Sequence, residues 1–281
     1  MAEHGGDDGA DARPSSMAEL RARIEAVPVE GDPDEKRAAF RRLCGPCPAI
    51  VRETIGGCPA GIVGEGPRDV VWLHGGGYVF GAPETHAVAA LYLAEALGAR
   101  VVLPDYPLAP EHPWPAQREA VGGLLDALGG RPALVGDSAG GHLALSLALA
   151  RPGGVGRLAL ISPNTDRTGL SETRGSGRDL MNDDATDAAL ARLAFGREPA
   201  RVAEASPLHA DLSRLPPLWL TAGSDEVLLD DALLLARRAA LAGVAVEATV
   251  REELFHLWPL WPDAIDEARA TLEDMARFLA A

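Results

Sequence analysis

The sequence predicts an α/β protein: a mostly parallel, doubly wound sheet with a small helical cap. Three observations carry this. From residue 69 onward, short apolar runs rich in β-branched residues alternate with helical stretches of about 10 to 15 residues, the pattern of a parallel sheet covered on both faces. The alternation breaks once, at 164–213, over a polar stretch too long for a bare loop in a compact domain. Finally, glycine-rich turns follow two of the strand-like runs, "HGGGYVFG" after "DVVWL" and "GDSAGG" after "PALV".

The elements follow in order. Residues 1–14 are acidic and Gly-rich and read as a disordered tail. Two helices fall within 15–47. Ser16 and Glu19 make a capping-box pattern before Leu20, Ile24 and Val27, which share one helical face. Asp32–Pro33 is an N-cap followed by proline at the first helical position. "AIVRETIGG" and "CPAGIVGEG" are β-like. "DVVWLH", "RVVLPDY", "PALVGD", "VGRLALISP", "PPLWLTAG" and "VAVEATVRE" are strands. Between them, "ETHAVAALYLAEALGA", "PAQREAVGGLLDALGG", "SAGGHLALSLALA" and "VLLDDALLLARRAALAG" are helices, and "PDAIDEARATLEDMARFLA" closes the chain as another. The core thus comprises 48–163 and 214–281. The insertion 164–213, with "MNDDATDAALARLAFG" inside it, lies over the C-terminal edge of the sheet, where open α/β sheets bind ligands.

Composition excludes several classes. The net charge of −15 argues against nucleic acid and against anionic membranes. No run approaches a membrane span, and the N-terminus lacks a signal peptide's basic start and apolar middle, so a cytoplasmic location is expected. Of the three cysteines, Cys44 and Cys47 form "CGPC", a redox spelling. It follows a helix-like stretch instead of preceding one, the reverse of the redox context, so coincidence is the favoured reading. Cys58 alone lies near it, which is too few ligands for zinc.

Chemistry concentrates at three places. "GDSAGG" fits G-x-S-x-G between a strand and a helix, a turn whose small residues push the Ser138 side chain out at the top of a sheet. The bland alternative is a serine that merely caps a helix. A serine nucleophile needs a base and a carboxylate to orient it. Of the seven histidines, His142, His209 and His256 follow Ser138; His142 is only four residues on, in the helix that the serine opens, and His256 alone lies just after the last strand. Asp225 stands just past "PPLWLTAG", with Ser224 between; the adjacent Glu226 stays open as the acid. "HGGG" at 74–77 fails the dinucleotide spacing, because Phe80 stands where a third glycine is needed, and no Gly-Lys-Ser/Thr follows. After a strand and upstream of a nucleophile, it fits an oxyanion hole.

Together, "HGGGYVFG", "DYPLAPEHPWPA", "GDSAGGHLAL", "SPLHADLSRLPPLWLTAGSDEVLLDD" and "FHLWP" resemble, in order, the motif blocks of the hormone-sensitive-lipase-like family of α/β-hydrolases, in its bacterial esterase branch. The resemblance spans roughly residues 50–281. It implies the α/β-hydrolase fold and carboxylester hydrolysis through an acyl-enzyme. It also implies Ser138, Asp225 and His256 as triad and Gly76, Gly77 and Ala139 as oxyanion donors. Gly75 would shape the turn, His74 would brace the loop, and Asp105–Glu111 would pack beneath it. The N-terminal helices and the insertion would form the cap. His142 stands where the family often has Asn.

No metal or organic cofactor is expected. The partner is a small-molecule ester, with a homodimer as the assembly considered. The short cap points to small and medium acyl groups, with Tyr78, Leu180, Met181, Phe195 and Trp258 as candidate pocket walls. The same triad would serve a lactone or an amide. A ligand-binding relative without turnover would be expected to lack a triad member, and none is lacking here.

Overall fold

The computed structural model describes residues 12–175 and 178–281. Its strands are β1 (Val51–Ile55), β2 (Cys58–Val63), β3 (Asp69–Leu73), β4 (Arg100–Pro104), β5 (Ala133–Asp137), β6 (Leu158–Ile161), β7 (Leu218–Gly223) and β8 (Val246–Arg251). They form one sheet in the order β1-β2-β4-β3-β5-β6-β7-β8. β1 and β2 are antiparallel to their neighbours, and the pairs from β4 to β8 are parallel. Gly56 and Gly57, both at positive φ, make the two-residue turn of the β1–β2 hairpin, a backbone that favours glycine at both positions.

Helices α1 (Met17–Ala26), α2 (Pro33–Cys44), α3 (Pro83–Leu97), α4 (Ala116–Leu128), α5 (Ala139–Ala150), α6 (Asp184–Phe195), α7 (Leu229–Leu241) and α8 (Asp266–Ala280) complete the fold. The strand side chains alternate, so each face of the sheet acquires its own core. Val71, Leu73, Leu134, Leu158 and Leu220 pack with Leu124 of α4, Leu143 of α5 and Leu235 of α7. Val70, Trp72, Val135, Ala159 and Trp219 pack with Leu93 of α3 and Leu272 and Met275 of α8. The predicted doubly wound sheet is the one observed.

The N-terminal helices join the second of these cores. Leu20, Phe40, Leu43 and Cys44 are buried in it. Asp32 and Glu35 form a reciprocal capping box at the start of α2. At α1, Ser16 Oγ accepts from Glu19 N at 3.3 Å, but the Glu19 carboxylate receives Ser15 N at 2.8 Å instead of Ser16. Of the expected tail, residues 1–11 lie outside the described residues. Residues 12–14 need correction: Pro14 is buried, and Arg13 Nε pairs with Asp263 at 3.2 Å. The three cysteines are free, Cys44 and Cys58 being buried and Cys47 exposed.

The insertion is held by charge. Asp187 on α6 pairs with Arg167 and with Arg174, the latter at 2.5 Å, and Arg174 also reaches Asp231 on α7 at 2.9 Å. Burial alone would raise the Asp187 pKa, but the two guanidiniums outweigh it and hold the group below its ordinary value. Asn164 donates from Nδ2 to Asp187 at 2.8 Å, and its backbone N–H donates to Ser138 O at 3.1 Å. The anchoring of α6 thus extends to the turn that carries Ser138. Among the described residues, no helix is long and apolar enough to cross a membrane.

Candidate active site

Ser138 stands between β5 and α5 with φ +53° and ψ −120°. That backbone is strained for a residue with a Cβ, and it is the sharp strand-to-helix turn that aims a nucleophile outward. The Ser138 hydroxyl does not cap α5, so the helix-capping alternative fails. The glycines are required by contact. A Cβ on Gly140 would lie 2.5 Å from His74 O, and one on Gly136 would run into the Gly140 carbonyl. Beneath the serine, Asp137 accepts from Trp72 Nε1 at 2.8 Å and faces His86 Nε2 at 3.1 Å.

The 74–77 loop leaves β3 beside this turn. Gly76 and Gly77 have φ of +106° and +61°. Among the described residues, the N–H groups of Gly76, Gly77 and Ala139 donate to no protein acceptor, as an oxyanion hole requires. The loop is braced from below. Tyr106 stacks on His74 with ring centroids 4.1 Å apart, and its hydroxyl donates to His74 O at 2.5 Å. Burial, helped by the neighbouring His86, pushes the His74 pKa down to about 3, so the ring is neutral and its Nδ1–H can donate to Gly75 O at 2.8 Å.

Tyr78, expected as a pocket wall, is instead a brace. It is 2% exposed, its ring packs against Tyr106, Trp114, His142 and Phe195, and its hydroxyl lies 2.6 Å from His142 Nδ1. Glu204 O can only accept from His142 Nε2 at 2.8 Å, so Nε2 carries the proton and Nδ1 accepts from Tyr78. Burial keeps His142 neutral, with a pKa near 3.

His256 follows β8 and is buried. Its Nδ1 lies 2.9 Å from Glu226 Oε2. The other Glu226 oxygen accepts from Ser162 Oγ at 2.7 Å and from Gly223 N at 2.7 Å, which satisfies a carboxylate that is only 1% exposed. Asp225 is therefore corrected as the orienting acid. It is half-buried and receives Ser224 Oγ at 3.3 Å, with its own N–H bonded to Leu254 O at 3.2 Å. His209 binds Thr168 Oγ1 at 3.1 Å and faces Asp166 at 3.4 Å, away from the other residues of the site.

Burial would lower the His256 pKa. The hydrogen bond and charge of Glu226, with the charges of Asp179 and Asp137, outweigh it, so the pKa stands above its ordinary value. With Nδ1–H given to Glu226, Nε2 is the basic nitrogen. Among the described residues no hydrogen bond joins it to Ser138 Oγ. Such bonds are often long without substrate and tighten when it binds.

The other wall candidates divide. Trp258 is corrected: it is fully buried in the core with α3 and α8. Leu257 takes a left-handed φ of +67°, and the chain turns there directly after His256. Phe195 is half-buried against Tyr78, Trp114 and His142, and Met181 is half-buried against the α3–α8 core. Leu180 is exposed.

Asp179 was not foreseen. Its Oδ1 accepts from His256 N at 3.0 Å and from Met181 N at 3.0 Å, and Oδ2 accepts from Val227 N at 3.4 Å. A carboxylate oxygen of Asp179, one of Glu226 and a ring nitrogen of His256 lie within 4.8 Å of one another. One more acid in an acid-rich insertion carried no sequence signal.

A sheet with a strained serine at its C-terminal edge, a glycine-rich donor loop and a buried His–carboxylate pair defines a serine-hydrolase site on an α/β-hydrolase scaffold. Residues 70–260 match the α/β-hydrolase-fold family. The chain is similar to an acetyl-hydrolase of Streptomyces hygroscopicus, 36% identical over 88% of this chain and 87% of the relative. It is 32% identical to an esterase of Acinetobacter venetianus, over 73% of this chain and 72% of that one. In three dimensions it resembles the crystal structure of an esterase from the bacterial hormone-sensitive lipase family, with a TM-score of 0.85 and 32% identity, covering 93% of this chain and 94% of the other. The chain belongs to the bacterial hormone-sensitive-lipase-like family of α/β-hydrolases and is a carboxylesterase-type hydrolase.

Proposed function

We propose that Ser138, His256 and Glu226 hydrolyse short-chain carboxylic esters through an acyl-enzyme. The observation that carries this is the buried Glu226–His256 bond of 2.9 Å, which fixes the tautomer that leaves Nε2 as base. Ser138 Oγ attacks the ester carbonyl while His256 Nε2 takes its proton. The carbonyl oxygen becomes an oxyanion held by the N–H groups of Gly76, Gly77 and Ala139; losing one such donor costs about 2.7–4 kcal/mol of transition-state stabilisation. The C–O bond then breaks, and His256 returns the proton to the departing alcohol. Water, deprotonated by His256, attacks the acyl-serine, and the acid leaves as Ser138 recovers its proton. No step calls for a metal or an organic cofactor.

The short-acyl reading is supported by α6. A Cβ on Gly77 would lie 2.6 Å from Leu190 Cδ1, so the cap helix sits directly on the donor loop and limits room beside it. One similar protein being an acetyl-hydrolase agrees with a small acyl group. The three free cysteines support a reducing, cytoplasmic location. The open, largely exposed edge of β8 supports a homodimer. In this reading α1, α2 and the 164–213 insertion make up the cap. Its support there is Arg37 of α2, which donates to Val79 O of the donor loop at 2.9 Å.

The test is labelling by a fluorophosphonate probe together with Ser138→Ala. Wild-type protein should label and turn over p-nitrophenyl butyrate. The variant should do neither, losing at least about three orders of magnitude in kcat. A variant that kept most of its activity would reject Ser138 as nucleophile.

A further inference from the structure

We infer that Asp179 is a positioning residue through which the cap holds His256 in its working place and charge state. This rests on His256 being the base. The cap insertion is separated from His256 by β7, α7 and β8 in sequence, yet its Asp179 carboxylate receives the backbone N–H of His256 at 3.0 Å. The same carboxylate receives Val227 N at 3.4 Å, beside Glu226, and so spans the loops that present acid and base. Neighbouring bonds lace the same strip of cap to that loop and to the start of α7: Thr173 Oγ1 donates to Val227 O at 3.0 Å, and Glu172 N donates to Asp230 Oδ2 at 2.8 Å.

Asp179 is also a charge. Among the described residues, the charges that act most on the His256 imidazole are Glu226 from the β7–α7 loop, Asp179 from the cap and Asp137 from the end of β5. Only Asp179 belongs to the cap. When His256 takes the Ser138 proton, a negative charge within 4.8 Å stabilises the imidazolium that forms. The cap thereby contributes to the rate of the chemical step as well as to the shape of the pocket.

Asp179→Asn and Asp179→Ala separate these roles in the full-length enzyme, because Asn keeps an acceptor oxygen for the His256 and Met181 N–H groups and loses the charge, together with the long 3.4 Å bond from Val227 N. In D179N the acid-limb midpoint of kcat/KM for p-nitrophenyl butyrate should fall by about half a pH unit or more. Its kcat should drop about threefold or more, with KM changed little. D179A should lose a further several-fold in kcat. If D179A does not fold, D179N alone decides. An unmoved acid-limb midpoint in D179N overturns the inference, whatever happens to kcat. His256→Ala is run beside them. Should it stay active, the triad reading falls; should it be inactive while D179N matches wild type, only the role of Asp179 falls.

Discussion

Glu226 Oε2 lies 2.9 Å from His256 Nδ1, while Asp225, one residue earlier, turns to Ser224 Oγ at 3.3 Å. The backbone decides this. Asp225 N is tied to Leu254 O at 3.2 Å and Gly223 N to Glu226 Oε1 at 2.7 Å, so the turn after β7 points the second carboxylate inward. Glu226→Gln should lower kcat by roughly three orders of magnitude or more, because the imidazole loses its tautomer control. Asp225→Asn should stay within a few-fold. Steady-state kinetics on one chromogenic ester decide between them, and the opposite ranking would restore Asp225 as the acid.

The raised pKa of His256 predicts the pH profile. The base works only when neutral, so kcat/KM should rise with pH through a midpoint above the ordinary histidine value of 6.5. E226Q should bring any residual profile to a lower midpoint, since it removes the group that favours the imidazolium. A wild-type midpoint below 6.5 would mean that burial outweighs the carboxylates.

At Gly77, two separate costs meet. Its φ is +61°, and an added Cβ would lie 2.6 Å from Leu190 Cδ1. Gly77→Ala should lower stability by about 1–3 kcal/mol and reduce kcat at least tenfold by displacing an oxyanion donor. Adding Leu190→Ala should recover part of the stability, because it removes the clash but leaves the backbone strain. Thermal unfolding and turnover measured on the same samples would check both.

Asp187 joins two largely buried arginines, so Asp187→Ala strands the Arg167 charge and leaves Arg174 to Asp231 and Asp184. It should destabilise the protein by about 3–5 kcal/mol, more than a typical surface ion pair. The sign with pH follows from a carboxylate pKa held below its ordinary value of 3.8. The stabilisation is complete above 3.8 and is lost as pH falls through the lowered value. Urea unfolding at neutral pH, and again in acid, should show the wild-type advantage over D187A shrinking in acid.

The acyl series tests the room beneath α6. Each accommodated CH₂ adds roughly 0.8 kcal/mol of binding until a wall is met. On p-nitrophenyl esters, kcat/KM should peak near butyrate or hexanoate and fall steeply by decanoate. A rate still climbing at palmitate would mean that the contact of Leu190 with Gly77 opens widely. In the same assay, His209→Ala should stay within a few-fold of wild type, since among the described residues that ring bonds to Thr168 and Asp166 and not to Ser138, Glu226 or His256.

By itself the sequence determined what depends on local pattern. Alternating apolar runs are enough to form strands with two buried faces, which is why Val70 and Trp72 part company with Val71 and Leu73. The glycines around Ser138 and in 74–77 were legible because no other residue fits those contacts. Tertiary structure decided what depends on side-chain direction and on contacts between distant segments. Asp225 and Glu226 are adjacent acids, and only the pairing of the β7 turn with Leu254 selects between them. Trp258 is two residues from the base, yet the turn at Leu257 leaves it in the core. Asp179 meets His256 across 77 residues of chain because the folded cap brings its carboxylate to that backbone N–H, and local sequence carries no trace of a contact made at such separation.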